Sequence, residues 1–341
     1  MRRIATVGLL ALLALAAVGT PATAQGFSRG PIAPAHLADV RQRRARLGLL
    51  AEYPDVSGVQ ALKVAVLDYG FAGAGLGRGY LPANAVIVEH YDPAFVARHA
   101  DLGDPAYRKP FEPGNSHGRA MAQIVWAVTG SYPGGPRFYL LNANGPTMLR
   151  RAVRYAVEQD IDIILFSGSF EGGGNGDGRG FINRIVDEAL AAGILWINAA
   201  GNFGGKVHNA PVRILSDGLL RLGKGGDIAA LRFHNRLDEN TVTVTLTWND
   251  YREAEDAGTT KDLDLYVEDW AGRRVGSGEL VQVSGDRVAG PGESRNPRER
   301  VVLSDLPADP ILIPPDPDRA YRIRVFAKGG KFGEGDRVRV L

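Results

Sequence analysis

The 341-residue chain contains no cysteine. That excludes disulfide staples, thiolate metal sites and a thiol nucleophile, and it neither supports nor contradicts export. Charge of one sign is also missing. The 40 basic and 38 acidic residues leave a formal +2, and setting aside Arg2 and Arg3 removes even that. The basic field that a nucleic acid requires is therefore absent. The apolar stretch VGLLALLALAAV is short for a membrane span and lacks a stop-transfer pattern. It follows Arg2 and Arg3 and precedes the small-x-small site Ala22-Thr23-Ala24, which reads as a cleavable signal peptide over residues 1–24. No cysteine follows for lipid attachment. The expectation is an exported protein, periplasmic or extracellular, with no stable membrane span after cleavage. The rest of the chain is long enough for two cores.

Residues 25–57 form a lead-in. HLADVRQRRARLGLL reads as a short surface helix made basic by Arg41, Arg43, Arg44 and Arg46, with a remnant of an inhibitory pro-segment as the alternative. From Lys63 the chain alternates short apolar runs with helical patterns. KVAVL (63–67), AVIVE (85–89), RFYLL (137–141), DIILF (162–166) and ILWIN (194–198) read as buried strands. GRAMAQIVWAV, TMLRRAVRYAVEQ and FINRIVDEALAAG lie between them, and Gly193 makes a natural helix stop. This repetition predicts an α/β fold, a parallel sheet with helices on both faces, over residues 58–215.

Further along, the period changes to two. In TVTVTLTWND the residues Val242, Val244, Leu246 and Trp248 share one face and the threonines the other. DLDLYVED, VVLSDL, YRIRVFAK and RVRVL repeat the pattern between Gly- and Pro-rich turns. Residues 216–341 are expected to form an antiparallel, jelly-roll-like β-sandwich. Asp262 and Asp264 alternate with Leu263 and Leu265. They share a strand face that suits a calcium ion, exposed solubilising carboxylates being the plainer alternative.

Candidate chemistry gathers in the first half. Asp68 follows a buried strand, where a carboxylate can orient a histidine and stabilise its charged form. His117 in NSHGRAMAQIV stands at a helix start. Asn202 follows WINAAG, where its amide can donate to a developing oxyanion. Ser167, at the end of DIILFS, can present backbone groups to an extended peptide. Each residue also has a structural reading, as a cap, a surface histidine or a turn.

Together, VAVLDYG, NSHGRAMAQIV, ILFSGS and WINAAGN resemble the subtilisin-like serine peptidases over about residues 58–204. The resemblance implies a catalytic aspartate at Asp68, a general base at His117 and an oxyanion donor at Asn202. It also implies a substrate-lining strand end at Ser167, Gly168 and Ser169. Arg119 stands where the family usually has threonine, and Tyr69 where threonine or serine is commoner. The larger departure is the missing Gly-Thr-Ser-Met-Ala-like segment that carries the nucleophile. Ser216, Ser277, Ser284, Ser294 and Ser304 do not begin a small-residue helix of that kind. The β-sandwich resembles modules of secreted family members. Its place soon after Asn202 looks like an insertion that stops before the chain returns to the α/β domain.

The expectation is a secreted serine endopeptidase lineage acting on polypeptides, needing no cofactor and inactive as the chain stands. The alternative is a non-catalytic pseudoprotease that binds peptide or surface glycan.

Overall fold

A computed structural model of the chain describes residues 61–71, 85–88, 115–129, 136–224, 226–235, 240–254, 257–284, 288–308 and 319–341, and also Gln42, Ala45, Arg46, Gly48 and Tyr91. The expected signal peptide lies outside the described residues, as does nearly all of the lead-in. The described residues divide into two compact units. One runs to Ser169 and resumes over Ile185–Gly201; the other comprises Phe170–Arg184 and Asn202–Leu341.

The first unit is built on five strands: β1 (Lys63–Asp68), β2 (Val86–Val88), β3 (Arg137–Asn142), β4 (Ile163–Phe166) and β5 (Leu195–Asn198). Their order is β2-β3-β1-β4-β5, and every neighbouring pair is parallel. Helix α1 (His117–Thr129) connects β2 to β3, and α2 (Gly145–Glu158) connects β3 to β4. Helix α3 (Phe181–Ala191), which begins in the segment assigned to the other unit, precedes β5. Strand β1 is central, and its Val64, Ala65, Val66 and Leu67 are all buried. Only a strand covered on both faces supports such a continuous apolar run. Val64 and Val66 join Phe138, Leu140 and Ile163 against Ala122 and Val125 of α1. The opposite-facing Ala65, Leu67, Tyr139, Leu141 and Ile164 are equally buried. Helix α2 buries Leu149, Ala152, Val153 and Ala156, a single stripe at helical spacing. A proline in its first turn supplies a backbone angle already suited to the helix.

The second unit holds two four-stranded antiparallel sheets. One orders β10 (Arg274–Gly278), β9 (Asp262–Glu268), β14 (Tyr321–Gly329) and β7 (Leu231–Phe233); the other orders β13 (Arg298–Leu306), β8 (Asn240–Trp248), β15 (Arg337–Val340) and β6 (His208–Pro211). A short parallel pair, β11 (Val281–Gln282) and β12 (Glu293–Ser294), stands apart. Val244, Leu246, Trp248, Val301, Leu303, Val338 and Val340 from one sheet share a core with Leu263, Leu265, Val267, Ile323 and Val325 from the other. The period-two pattern thus sets which face of each strand is buried.

This unit starts earlier than the expected residue 216, because β6 pairs with β15 from His208 onward. It also takes in residues 170–184. There Asn175 clips to the Tyr251 backbone in both directions, accepting from its N–H at 2.8 Å and donating to its carbonyl at 2.9 Å. Glu171 accepts from Thr245 at 3.1 Å and pairs with Arg298 at 3.0 Å. Thr245 and Thr247 of β8 are consequently buried, at 1% and 3% exposed, whereas Thr241 and Thr243 stay exposed.

Candidate active site

In parallel sheets, sites form beyond the carboxyl ends of the strands. Asp68 is the last residue of β1 and is fully buried. Its backbone carbonyl accepts from Ala143, just past β3, at 2.8 Å. Its Oδ1 accepts the backbone N–H groups of Tyr69 and Gly70 at 2.8 and 3.1 Å. Those two donors fix the carboxylate and leave Oδ2 for one partner. That partner is His117 Nδ1, at 2.7 Å. An ionised carboxylate only accepts, so Nδ1 carries the proton and the neutral ring presents Nε2 as the base. The Asp68 hydrogen bond raises the imidazole's pKa; burial opposes this and the Asp68 charge reinforces it. The histidine side chain is 32% exposed, so solvent and substrate reach it.

The local sequence builds this contact in several ways. His117 opens α1, and its backbone N–H is capped by Asn115 Oδ1 at 2.9 Å. Gly118 N–H donates to the Gly70 carbonyl at 2.6 Å, joining the helix start to the strand end. A Cβ at Gly118 would sit 2.5 Å from Asp68 Cβ and 2.7 Å from the Phe71 ring. Only glycine admits this approach. A side chain at Gly70 would likewise collide with Asn115. Tyr69 lies nearly parallel to the imidazole, 7° between planes and 6.3 Å between centroids. Asn115 and Gly118 were not singled out from sequence as site residues. An asparagine two residues before a histidine, with glycine directly after it, is the signal that would have found them.

Ser167, Gly168 and Ser169 continue from β4 at the same sheet edge. Ser167 N–H donates to the Leu67 carbonyl at 3.3 Å, which places it beside the end of β1. Gly168 is buried and Ser169 exposed. Asn198, at the end of β5, donates to the Gly168 carbonyl at 3.3 Å. The described serines of this unit are Ser116, Ser167 and Ser169, and none hydrogen-bonds the imidazole. Asn202 stands in an exposed bend where the second unit resumes. Arg119, the residue at the family's threonine position, is buried at 8% exposure.

Asp262 and Asp264 share a face of β9, and the plainer of the two expectations, exposed carboxylates, does not describe them. They are 8% and 9% exposed, so they are not surface carboxylates. Among the described residues no group of three or more histidine or acidic side chains is placed to hold a metal ion. Burial raises the Asp262 pKa to about 6, with the neighbouring Asp264 charge adding to it. Lys328 lies 3.7 Å from Asp264.

Among the described residues no helix is long and apolar enough to cross a membrane. No protein-family model and no curated protein matches the chain.

Proposed function

We propose that the chain carries the base and orienting acid of a subtilisin-like serine peptidase, a secreted lineage whose substrates are polypeptides. The observation that carries this reading is the 2.7 Å contact from buried Asp68 to His117 at the carboxyl edge of a parallel sheet. In that chemistry His117 Nε2 takes the proton of an attacking hydroxyl while its oxygen bonds to the peptide carbonyl carbon. The imidazolium formed is held by Asp68. The same proton then passes to the leaving amine as the carbon–nitrogen bond breaks. Asn202 is assigned the donor to the intermediate's oxyanion, a role whose loss typically costs about 3 kcal/mol. Ser167, Gly168 and Ser169 are assigned the edge along which an extended peptide lies. The second unit is read as a β-sandwich module accompanying the peptidase unit.

The 341 residues supply no segment that resembles the family's nucleophile-bearing turn. We therefore expect no turnover from this chain. Casein hydrolysis and labelling by a fluorophosphonate, each compared between the native chain and His117→Ala, test this. Both signals should equal those of the variant. Inhibitor-sensitive cleavage that His117→Ala abolishes would overturn the prediction of inactivity. A dyad that serves peptide chemistry should also sense peptide. Extended peptides should shift the His117 imidazole resonance, and their failure to do so across a broad library would sink the reading. Binding without turnover would favour the pseudoprotease alternative, with Ser167–Ser169 as its platform.

A further inference from the structure

We propose that the outer face of the sheet β13-β8-β15-β6 holds a binding site for a small oxyanion, with Arg339 and Arg337 as its cationic ligands. The strand register sets it up. Arg339 pairs across β15 with Thr247 on one side and Asn209 on the other. Directly opposed residues of antiparallel strands point to the same face. The row Asn209–Arg339–Thr247 therefore projects away from the core that receives Val338 and Val340. Arg337, two residues earlier on β15, projects the same way.

A cavity of about 70 Å³ opens over this row, bounded by Asn209, Thr247, Arg337, Arg339 and the backbone around Gly174 and Gly176. Roughly 10–15 Å³ of such space holds one water, so the cavity has room for a small polyatomic ion. The glycine loop belongs to the construction of the site. Asn175 anchors it to the Tyr251 backbone. Gly176 has φ +77°, and a Cβ there would lie 2.7 Å from Arg339 Nη2. Glycine thus lets the guanidinium lie directly against the loop. Asn209 Oδ1 accepts from Arg337 Nε at 3.1 Å and orients the second guanidinium.

The charge is uncompensated. Among the described residues neither Arg337 nor Arg339 has a carboxylate within ion-pair distance. Nearby acids are engaged elsewhere: Glu171 holds Arg298 and Thr245, and Asp177 accepts the Arg179 backbone N–H. Arg339 is half-buried and Arg337 exposed, whereas the half-buried Arg324 is paired with Asp227 and Glu268. Two guanidinium forks beside hydroxyl and amide groups match the lone pairs of a phosphate or a carboxylate.

Isothermal titration calorimetry on the full chain tests the site, with inorganic phosphate as one probe. A short peptide ending in a free carboxylate, set against its C-terminal amide, is the other. Saturable binding of phosphate, or of the acid peptide over the amide, is expected, with a Kd on the order of millimolar. Arg339→Gln should weaken it by about tenfold or more, whereas Arg300→Gln, an exposed arginine on the same face outside the cavity, should leave it unchanged. If Arg339→Gln does not fold, Asn209→Asp replaces it. An added carboxylate beside Arg337 should weaken binding by a similar factor. The probe that binds names the source, free ion or chain terminus. No heat from either probe at about 20 mM overturns the site. Binding that survives the cavity variants, or that Arg300→Gln weakens equally, overturns it too.

Discussion

At the scale of single residues, the dyad rests on glycines and backbone donors more than on its own two side chains. Asp68 is fixed by two N–H groups before it meets His117. Asp68→Asn should therefore leave the carboxamide in place and remove the charge. The His117 pKa should then fall from its raised position, because burial, which lowers it, would act against a weaker opposing interaction. NMR titration of the imidazole C–H signals reads this directly; an unchanged midpoint would contradict the contact. The linked stability has a definite sign. Protonated His117 stabilises the first unit fully below its unfolded pKa of about 6.5, and that contribution is lost as pH rises through the raised folded value. Gly118→Ala tests the packing. With 2.5 Å available to Asp68 Cβ, the added methyl should destabilise the first unit by roughly 1–3 kcal/mol in denaturant unfolding. It should also lower the His117 pKa as the contact opens.

At the scale of elements, helix ends separate what the sequence makes legible from what it conceals. Helix α3 stops at Gly193, φ +81°, a left-handed residue readable from sequence because glycine is its usual occupant. Helix α2 is followed by Asp160 at φ +50°. Ile161 N–H returns to the Ala156 carbonyl at 3.0 Å, the same kind of closure made by a residue whose Cβ disfavours it. Asp160→Gly should stabilise the first unit by up to about 1 kcal/mol, measured as a shift in denaturant midpoint at constant slope. A destabilisation would show that the aspartate side chain contributes more than its backbone costs. The five strands of the parallel sheet fall within a residue or two of the apolar runs: in β1, β3 and β4 burial on both faces writes itself into consecutive residues, whereas the edge strands β2 and β5 keep the apolar run while only partly buried. Strand β6, HNAP, carries no such signal: it is an edge strand, and half its residues face outward. Residues 170–180 are equally opaque. Their place is set by Asn175 and Glu171 reaching partners 76 and 127 residues away, which no local pattern encodes.

At the scale of the whole molecule, four tryptophans divide evenly, Trp126 and Trp196 in the first unit and Trp248 and Trp270 in the second. Replacing the first pair with phenylalanine makes fluorescence a reporter of the second unit alone. That unit carries acids in unfavourable places. Glu299 is 1% exposed. Its Oε1 accepts from Leu280 N–H at 3.0 Å and from Gln282 Nε2 at 2.9 Å, while Gly278 leaves room for Oε2. Burial raises its pKa to about 7; the two donors to Oε1 oppose this, and the charges of Asp264 and Asp262 add to it. Asp262 is raised to about 6, and Asp264 is raised as well, mainly by burial, with Lys328 acting against it. The folded unit thus binds protons that the unfolded chain has already released. These groups favour the fold fully below about pH 4, and the contribution is lost as pH rises to about 7. The opposite slope belongs to Asp269. Burial opposes its ionisation, but Arg273 and the backbone N–H groups of Ala271 and Arg273 hold its pKa below the ordinary value; its contribution is lost on acidification below about pH 4. Glu299→Gln should keep the acceptor for Leu280 and Gln282 and remove the charge. The variant should match the parent near pH 4 and exceed its stability by about 1–3 kcal/mol near pH 8, flattening the profile between. Urea unfolding followed by Trp248 and Trp270 emission at both pH values decides it: equal stabilities at pH 8 would mean that Glu299 ionises in the fold without strain.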